Sequence, residues 1–164
     1  MDFKTSCRSK LMVGKTCLVT GATNGIGRVT ALELAHMGAD VLIAGRDPAR
    51  CALTAADIRE ESGNPNVDFL VADLSSQEEV RRLAKEFKER RQRLDVLLNN
   101  AGAINISRRI SADGIEMTFA LNHLSCFLLT NLLLDVLSAS SPARVVNVAS
   151  SVHEKAKIDL FDIH

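Results

Sequence analysis

The stretch Thr20-Gly21-Ala22-Thr23-Asn24-Gly25-Ile26-Gly27 decides the fold. It follows the apolar run Thr16-Cys17-Leu18-Val19 and opens a helix-like run from Ile26 to Met37, so it reads as strand, glycine turn and helix start. Gly21 can take backbone angles barred to other residues. Gly25 lets the main chain approach an anion with no Cβ in the way, and Gly27 lets the helix lie close on the strand. The free N–H groups of such a helix start, together with the helix dipole, favour a bound phosphate, with Thr23 and Asn24 inside the turn.

Working outward, strand-like and helix-like runs alternate, with no internal repeat. Ile26, Thr30, Leu34 and Met37 share one helical stripe, and Gly38 stops that helix. Val41-Leu42-Ile43-Ala44 is a continuous apolar run, the pattern of a parallel strand buried on both faces. Asp47-Pro48 suits a helix cap and first residue, for a helix reaching about Glu61 before Gly63-Asn64-Pro65. Val67 to Ala72 predicts a third strand, and Ser75 with Glu78 has the form of a capping box. Val80, Leu83, Ala84 and Phe87 predict the buried stripe of the next helix, whose charged face is solvated. Leu94 to Leu98 is a fourth strand, followed by the turn Asn99-Asn100-Ala101-Gly102. A long helix over about Gly114 to Leu137 and a fifth strand, Arg144 to Ala149, complete the pattern. The expectation is an α/β, Rossmann-type doubly wound parallel sheet in three αβα layers.

Composition bounds the function. In 164 residues with 46% hydrophobic content, residues 14–164 fit one domain behind a flexible lead-in over 1–13. Twenty basic and twenty acidic residues cancel, so nothing overall calls for a nucleic acid or an anionic membrane as partner. The most apolar region, Leu121 to Leu137, contains Asn122, His123, Asn131 and Asp135 and falls short of a membrane span. Cys7, Cys17, Cys51 and Cys126 lack paired spacing, as expected of reduced thiols in a cytoplasmic protein, and the four histidines lack metal-ligand spacing.

In a dinucleotide fold the end of the second strand meets the adenosine ribose roughly 20 residues past the glycine turn. An NAD-selective site would place a carboxylate there; this chain has Gly45 followed by Arg46. A guanidinium can fork onto a 2′-phosphate, so the pair favours NADP(H). Gly14-Lys15-Thr16 mimics the tail of a P-loop, but Ser9 stands where the leading glycine is needed and the segment precedes its strand. A methyltransferase would call for an acidic residue near position 45.

The ordered set Thr20-Gly21 through Gly27, Asp73-Leu74, Asn99-Asn100-Ala101-Gly102, Asn122-His123-Leu124 and Val145 to Ser151 resembles the short-chain dehydrogenase/reductase family. Asn122 to Leu129 and Ser141 to His153 look most like its retinol dehydrogenase-type branch. The resemblance implies that Gly21, Gly25, Ile26 and Gly27 hold the pyrophosphate, Arg46 the 2′-phosphate and Asp73, with Leu74 beside it, the adenine edge. Asn99, Ala101 and Gly102 would line the adenosine and the central strand. Asn122 would order a water-linked proton relay. Ser150, or Ser151 by a one-residue slip, would hydrogen-bond the oxygen of an alcohol or carbonyl substrate, and the branch points to a lipophilic one such as a retinoid.

The family's chemistry also needs a tyrosine followed four residues later by a lysine, and this sequence contains no tyrosine. Lys155 and Lys157 follow no phenol at that spacing. Loss of a positioned general acid typically costs ~10²–10⁴-fold. The expectation is the front portion of an NADP(H)-dependent oxidoreductase, lacking later strands and helices and not competent alone. The rival expectation is a non-catalytic nucleotide-binding or interaction module; homo-oligomerisation is left open.

Overall fold

A computed structural model of the chain describes residues 11–155. Five parallel strands form one sheet: β1 (Thr16–Thr20), β2 (Asp40–Gly45), β3 (Val67–Val71), β4 (Val96–Asn99) and β5 (Arg144–Asn147), in the order β3-β2-β1-β4-β5. The chain moves outward from β1 to β3, then returns to the other side of β1 for β4. The order therefore reverses between β1 and β4, which opens a crevice at their carboxyl ends.

Residues alternate across the sheet and build two cores. Leu18, Leu42, Leu70 and Leu97 face α3 (Gln77–Arg90) and α4 (Ser125–Leu132), meeting Val80, Leu83, Phe87, Leu129 and Leu133. Cys17, Val19, Val41 and Ile43 face α1 (Gly25–His36) and α2 (Pro48–Ser62), meeting Ala31, Ala35, Ala55 and Ile58. This is the three-layer, doubly wound arrangement that the alternating pattern predicts.

Local departures have physical causes. The buried positions of α1 are Gly27, Ala31 and Ala35, one step from the expected stripe, and Ile26 is 67% exposed. Small residues let this helix lie close to the strands, which leaves Ile26 turned outward. The cap of α3 is Ser76, whose Oγ accepts from the Glu79 N–H, because Ser75 is taken by the Asp73 carboxylate. The expected long helix is a composite: a turn at Met117–Phe119 capped by Glu116, a π-helical segment at Ala120–Leu124, α4, and α5 (Leu134–Ala139). β5 is an edge strand whose four residues are all exposed.

At the other end of the sheet, Asp95 ties the base of β1 to that of β4. Its carboxylate, 3% exposed, accepts from Arg93 Nε at 2.7 Å, the Thr16 N–H at 2.9 Å and Lys15 Nζ at 2.9 Å. Burial alone would raise its pKa, but the bonds from Arg93, Thr16 and Lys15 prevail and hold it at about 2. Residues 11–14 form a turn against α1, with the Met12 N–H donating to the Met37 carbonyl; the rest of the expected lead-in, residues 1–10, lies outside the described residues.

Candidate functional site

Two clefts share a rim at the carboxyl ends of β1 and β4. The first, about 370 Å³, is lined by Gly21, Thr23, Asn24, Ile26 and Gly27 on one side and by Asn100, Ala101, Gly102 and Ala103 on the other. Gly45, Arg46, Asp73 and Leu74 close its far end. The second, about 930 Å³, contains Asn122, Ser150, Asn99, Thr130 and Asn147, with Ile104, Phe127, Val145 and Val148 as apolar walls.

The glycine turn is shaped by clearance. Gly21 has φ +64°, and a Cβ there would lie 2.7 Å from Ala101 Cα. A Cβ on Gly27 would lie 2.4 Å from Asn100 Nδ2 and 2.6 Å from the Gly21 carbonyl oxygen. Gly25 has φ +53° with nothing within 4 Å of that position, so its requirement is conformational. Gly25 does not line the first cleft; its neighbours do.

Thr20 locks this turn to the β4 loop. Its hydroxyl accepts from the N–H groups of Asn100 and Ala101, both at 3.0 Å, and donates to the Leu98 carbonyl. Asn100 Nδ2 donates back to the carbonyls of Thr20 and Gly21. Neither Thr20 nor Asn100 stands out as a site residue in the sequence; the signal was a polar residue at the end of each of two adjacent strands. Asn99 turns away from the first cleft. It is 3% exposed, donates to Thr130 Oγ1 and Asn147 Oδ1, and joins the second cleft.

The electrostatics of the first cleft suit an anion. Asp47 and Ser76 cap their own helices with side-chain oxygens, whereas Asn24 makes no such bond at the start of α1, which opens at this cleft. Arg46 is exposed and has no hydrogen bond or ion pair among the described residues. A Cβ at Gly45 would lie 2.8 Å from both Cys51 Sγ and Thr23 Cγ2, so a side chain at that position would have to displace both. The Asp73 carboxylate accepts from the Ser75 N–H and hydroxyl, which fixes the loop after β3 at the cleft wall.

In the second cleft Asn122 sits within the π-helical segment. Its Oδ1 accepts from the Ala103 N–H and its Nδ2 donates to the Ala103 carbonyl, both at 2.9 Å. The π bulge thus carries the side chain across to the β4 loop, a placement often found at functional sites. Ser150 follows β5, and its Oγ accepts from the Val152 N–H at 3.3 Å. Ser151 begins a 3₁₀ turn outside the second cleft's lining. Among the described residues no group of three His, Cys, Asp or Glu could hold a metal ion.

The short chain dehydrogenase family model matches residues 15–160. Human retinol dehydrogenase 13 is 45% identical over 160 residues, covering 97% of this chain and 48% of that protein. Pseudomonas aeruginosa RhlG, solved as an NADP active-site complex, superposes with a TM-score of 0.74 at 38% identity, over 87% of this chain and 57% of that one. A short chain dehydrogenase from Escherichia coli CFT073, complexed with NADPH, superposes with a TM-score of 0.78 at 29% identity, over 91% and 64%. The chain spans about half the length of the curated relatives it matches. With 146 of its residues inside the family match and the same doubly wound sheet, the chain belongs to the short chain dehydrogenase family.

Proposed function

We propose that this chain is the NADP(H)-binding portion of an oxidoreductase that interconverts an alcohol and a carbonyl. The observation that carries the reading is the first cleft, which an uncapped helix start, a glycine turn and an unpaired Arg46 all line. These features fit an anionic dinucleotide. Gly21 to Gly27 would hold the pyrophosphate, Arg46 the 2′-phosphate, and Asp73 and Leu74 the adenine end. Ala101 and Gly102 would face the sugar chain. The complexes of RhlG with NADP and of the Escherichia coli protein with NADPH support that choice.

When bound, the nicotinamide supplies or accepts hydride. The chain's own residues do the rest. Ser150 would donate a hydrogen bond to the substrate oxygen and steady its developing negative charge. Asn122, held at both amide atoms by Ala103, would fix the geometry of a proton relay beside it. Ile104, Phe127, Val145 and Val148 give the second cleft walls suited to a lipophilic substrate, in line with the similarity to retinol dehydrogenase 13. Completion of proton transfer needs a phenol that these 164 residues do not contain. Buried Cys17 and Cys51 fit a reducing, cytoplasm-like compartment, and no helix among the described residues is long and apolar enough to cross a membrane.

The test is calorimetric titration with NADPH and NADH, followed by an assay for hydride transfer to a long-chain aldehyde. The reading predicts preferential NADPH binding and turnover no higher than that of the nucleotide alone. Absence of binding to either nucleotide would overturn the cofactor assignment, and rapid turnover would overturn the requirement for an outside phenol.

A further inference from the structure

One polar contact joins two segments that line neither cleft. Asp113 Oδ2 accepts from the Gln77 N–H at 2.8 Å, across 36 positions of sequence. Gln77 opens α3, so its N–H has no partner within its own helix, and a carboxylate there also meets the positive end of the helix dipole. Gln77 and residues 109–117 stand outside both linings, yet each leads directly into a cleft wall.

On the α3 side the connection is short and tied. Asp73 and Leu74 line the far end of the first cleft. The Asp73 carboxylate accepts from the Ser75 N–H and hydroxyl, its carbonyl accepts from the Ser76 N–H at 3.1 Å, and Ser76 caps α3. A group resting on Asp73 and Leu74 therefore bears on the first turn of α3. On the other side Asp113 sits in a tight turn. Ser111 Oγ accepts from the N–H groups of Asp113 and Ile115, and the Ser111 N–H donates to the Ile115 carbonyl at 2.8 Å. Ile110 pairs with Glu116, and the Met117 N–H donates to the Arg109 carbonyl at 2.8 Å. Glu116 then caps the turn at Met117–Phe119, which runs straight into the π-helical segment with Asn122. Position 113 thus lies at the root of the segment that carries Asn122.

We propose that Asp113 is a positioning residue that couples the two clefts. It clamps the root of the Asn122 segment to the start of α3, so nucleotide at the adenine end of the first cleft steadies the second. The inference rests on the NADP(H) reading of the first cleft. A ligand held against Asp73 and Leu74 lowers the freedom of the first turn of α3, and the shared hydrogen bond passes that order to the turn at 111–115. A second connection exists, because Asn100 to Ala103 wall both clefts and Ala103 is held by Asn122. Removing the Asp113 carboxylate separates the two, since it leaves the shared wall in place. Linkage ties the sizes together: the factor by which nucleotide suppresses opening of the turn equals the factor by which loss of the clamp weakens nucleotide binding.

The test is hydrogen–deuterium exchange and calorimetric titration of the full chain, as wild type, Asp113→Ala and Asp113→Asn, with and without NADPH. Without nucleotide, Asp113→Ala should speed exchange of the Gln77 amide and of residues 109–117 roughly fivefold. NADPH should slow exchange across 109–117 roughly fivefold in the wild type and leave it unchanged in Asp113→Ala, which should bind NADPH more weakly by about the same factor. Asp113→Asn keeps a neutral acceptor and should restore most of both effects. Circular dichroism reports the folding of each variant. Protection of the cleft walls without 109–117 in the wild type overturns the coupling and leaves the cofactor reading intact. Equal protection of 109–117 in wild type and Asp113→Ala, or equal NADPH affinity, assigns Asp113 to the scaffold alone and also overturns it. Absence of NADPH binding by the wild type overturns the cofactor reading and the coupling with it.

Discussion

Replacing Arg46 with aspartate tests the cofactor assignment at the point where charge matters most. Arg46 stands at the end of β2 with no partner among the described residues, and the neighbouring Asp47 is committed to capping α2 through the Arg50 N–H at 3.1 Å. A charge-assisted bond from this guanidinium to a 2′-phosphate is worth ~1.5–3 kcal/mol. Solvent at this exposed position reduces that to ~1–2 kcal/mol, or about 5–30-fold in affinity. Aspartate adds repulsion of the phosphate, so the loss of NADPH affinity should lie at the upper end of that range. NADH has no phosphate there, and its affinity should change by less than about threefold. A side chain at position 45 would have to displace Cys51 Sγ and Thr23 Cγ2, so position 46 gives the cleaner test. The assay is calorimetric or fluorescence titration of both nucleotides at low and high salt. The NADPH penalty should shrink as salt rises. An unchanged NADPH-to-NADH affinity ratio in Arg46→Asp would refute the reasoning.

The remaining predictions concern the scaffold. Gly27→Ala should cost ~2–4 kcal/mol in urea unfolding, because its Cβ meets Asn100 and the Gly21 carbonyl, while Gly25→Ala, with open space around it, should cost only the ~1–2 kcal/mol of its positive φ. Thr20→Val removes the acceptor for two N–H groups and should cost ~2–3 kcal/mol by the same measurement. Asp95 is held at about 2 against an ordinary value of 3.8, so its contribution of ~2 kcal/mol is complete above pH 3.8 and is lost as pH falls toward 2. Acid unfolding of Asp95→Asn should lack that component; a wild-type acid transition identical to that of the variant would contradict it.

The order of elements and the parallel sheet were legible because each strand is a short apolar run between turn residues, and each helix has its own stop. The stripe of α1 was not, because its buried residues are Gly27, Ala31 and Ala35, which carry little hydrophobic signal. Ser75 and Ser76 each precede an acidic residue by three positions, and only the loop geometry that gives Ser75 to Asp73 decides between them. In the site, the glycine turn and Arg46 were readable as local chemistry. The bonds joining Thr20 to Asn100 and Asn122 to Ala103 cross 80 and 19 positions, so no local pattern announces them. Which of Asn99 and Asn100 faces the first cleft likewise depends on the pairing of β4 with β5, where Asn99 stands opposite Asn147.

Hydrogen–deuterium exchange of the full chain with and without NADPH tests the central claim most directly, because it locates the nucleotide without requiring turnover. The account predicts protection on binding in residues 20–27, 45–46, 72–74 and 100–103, the walls of the first cleft. Protection confined to other segments, or no change in those four at saturating nucleotide, would contradict it.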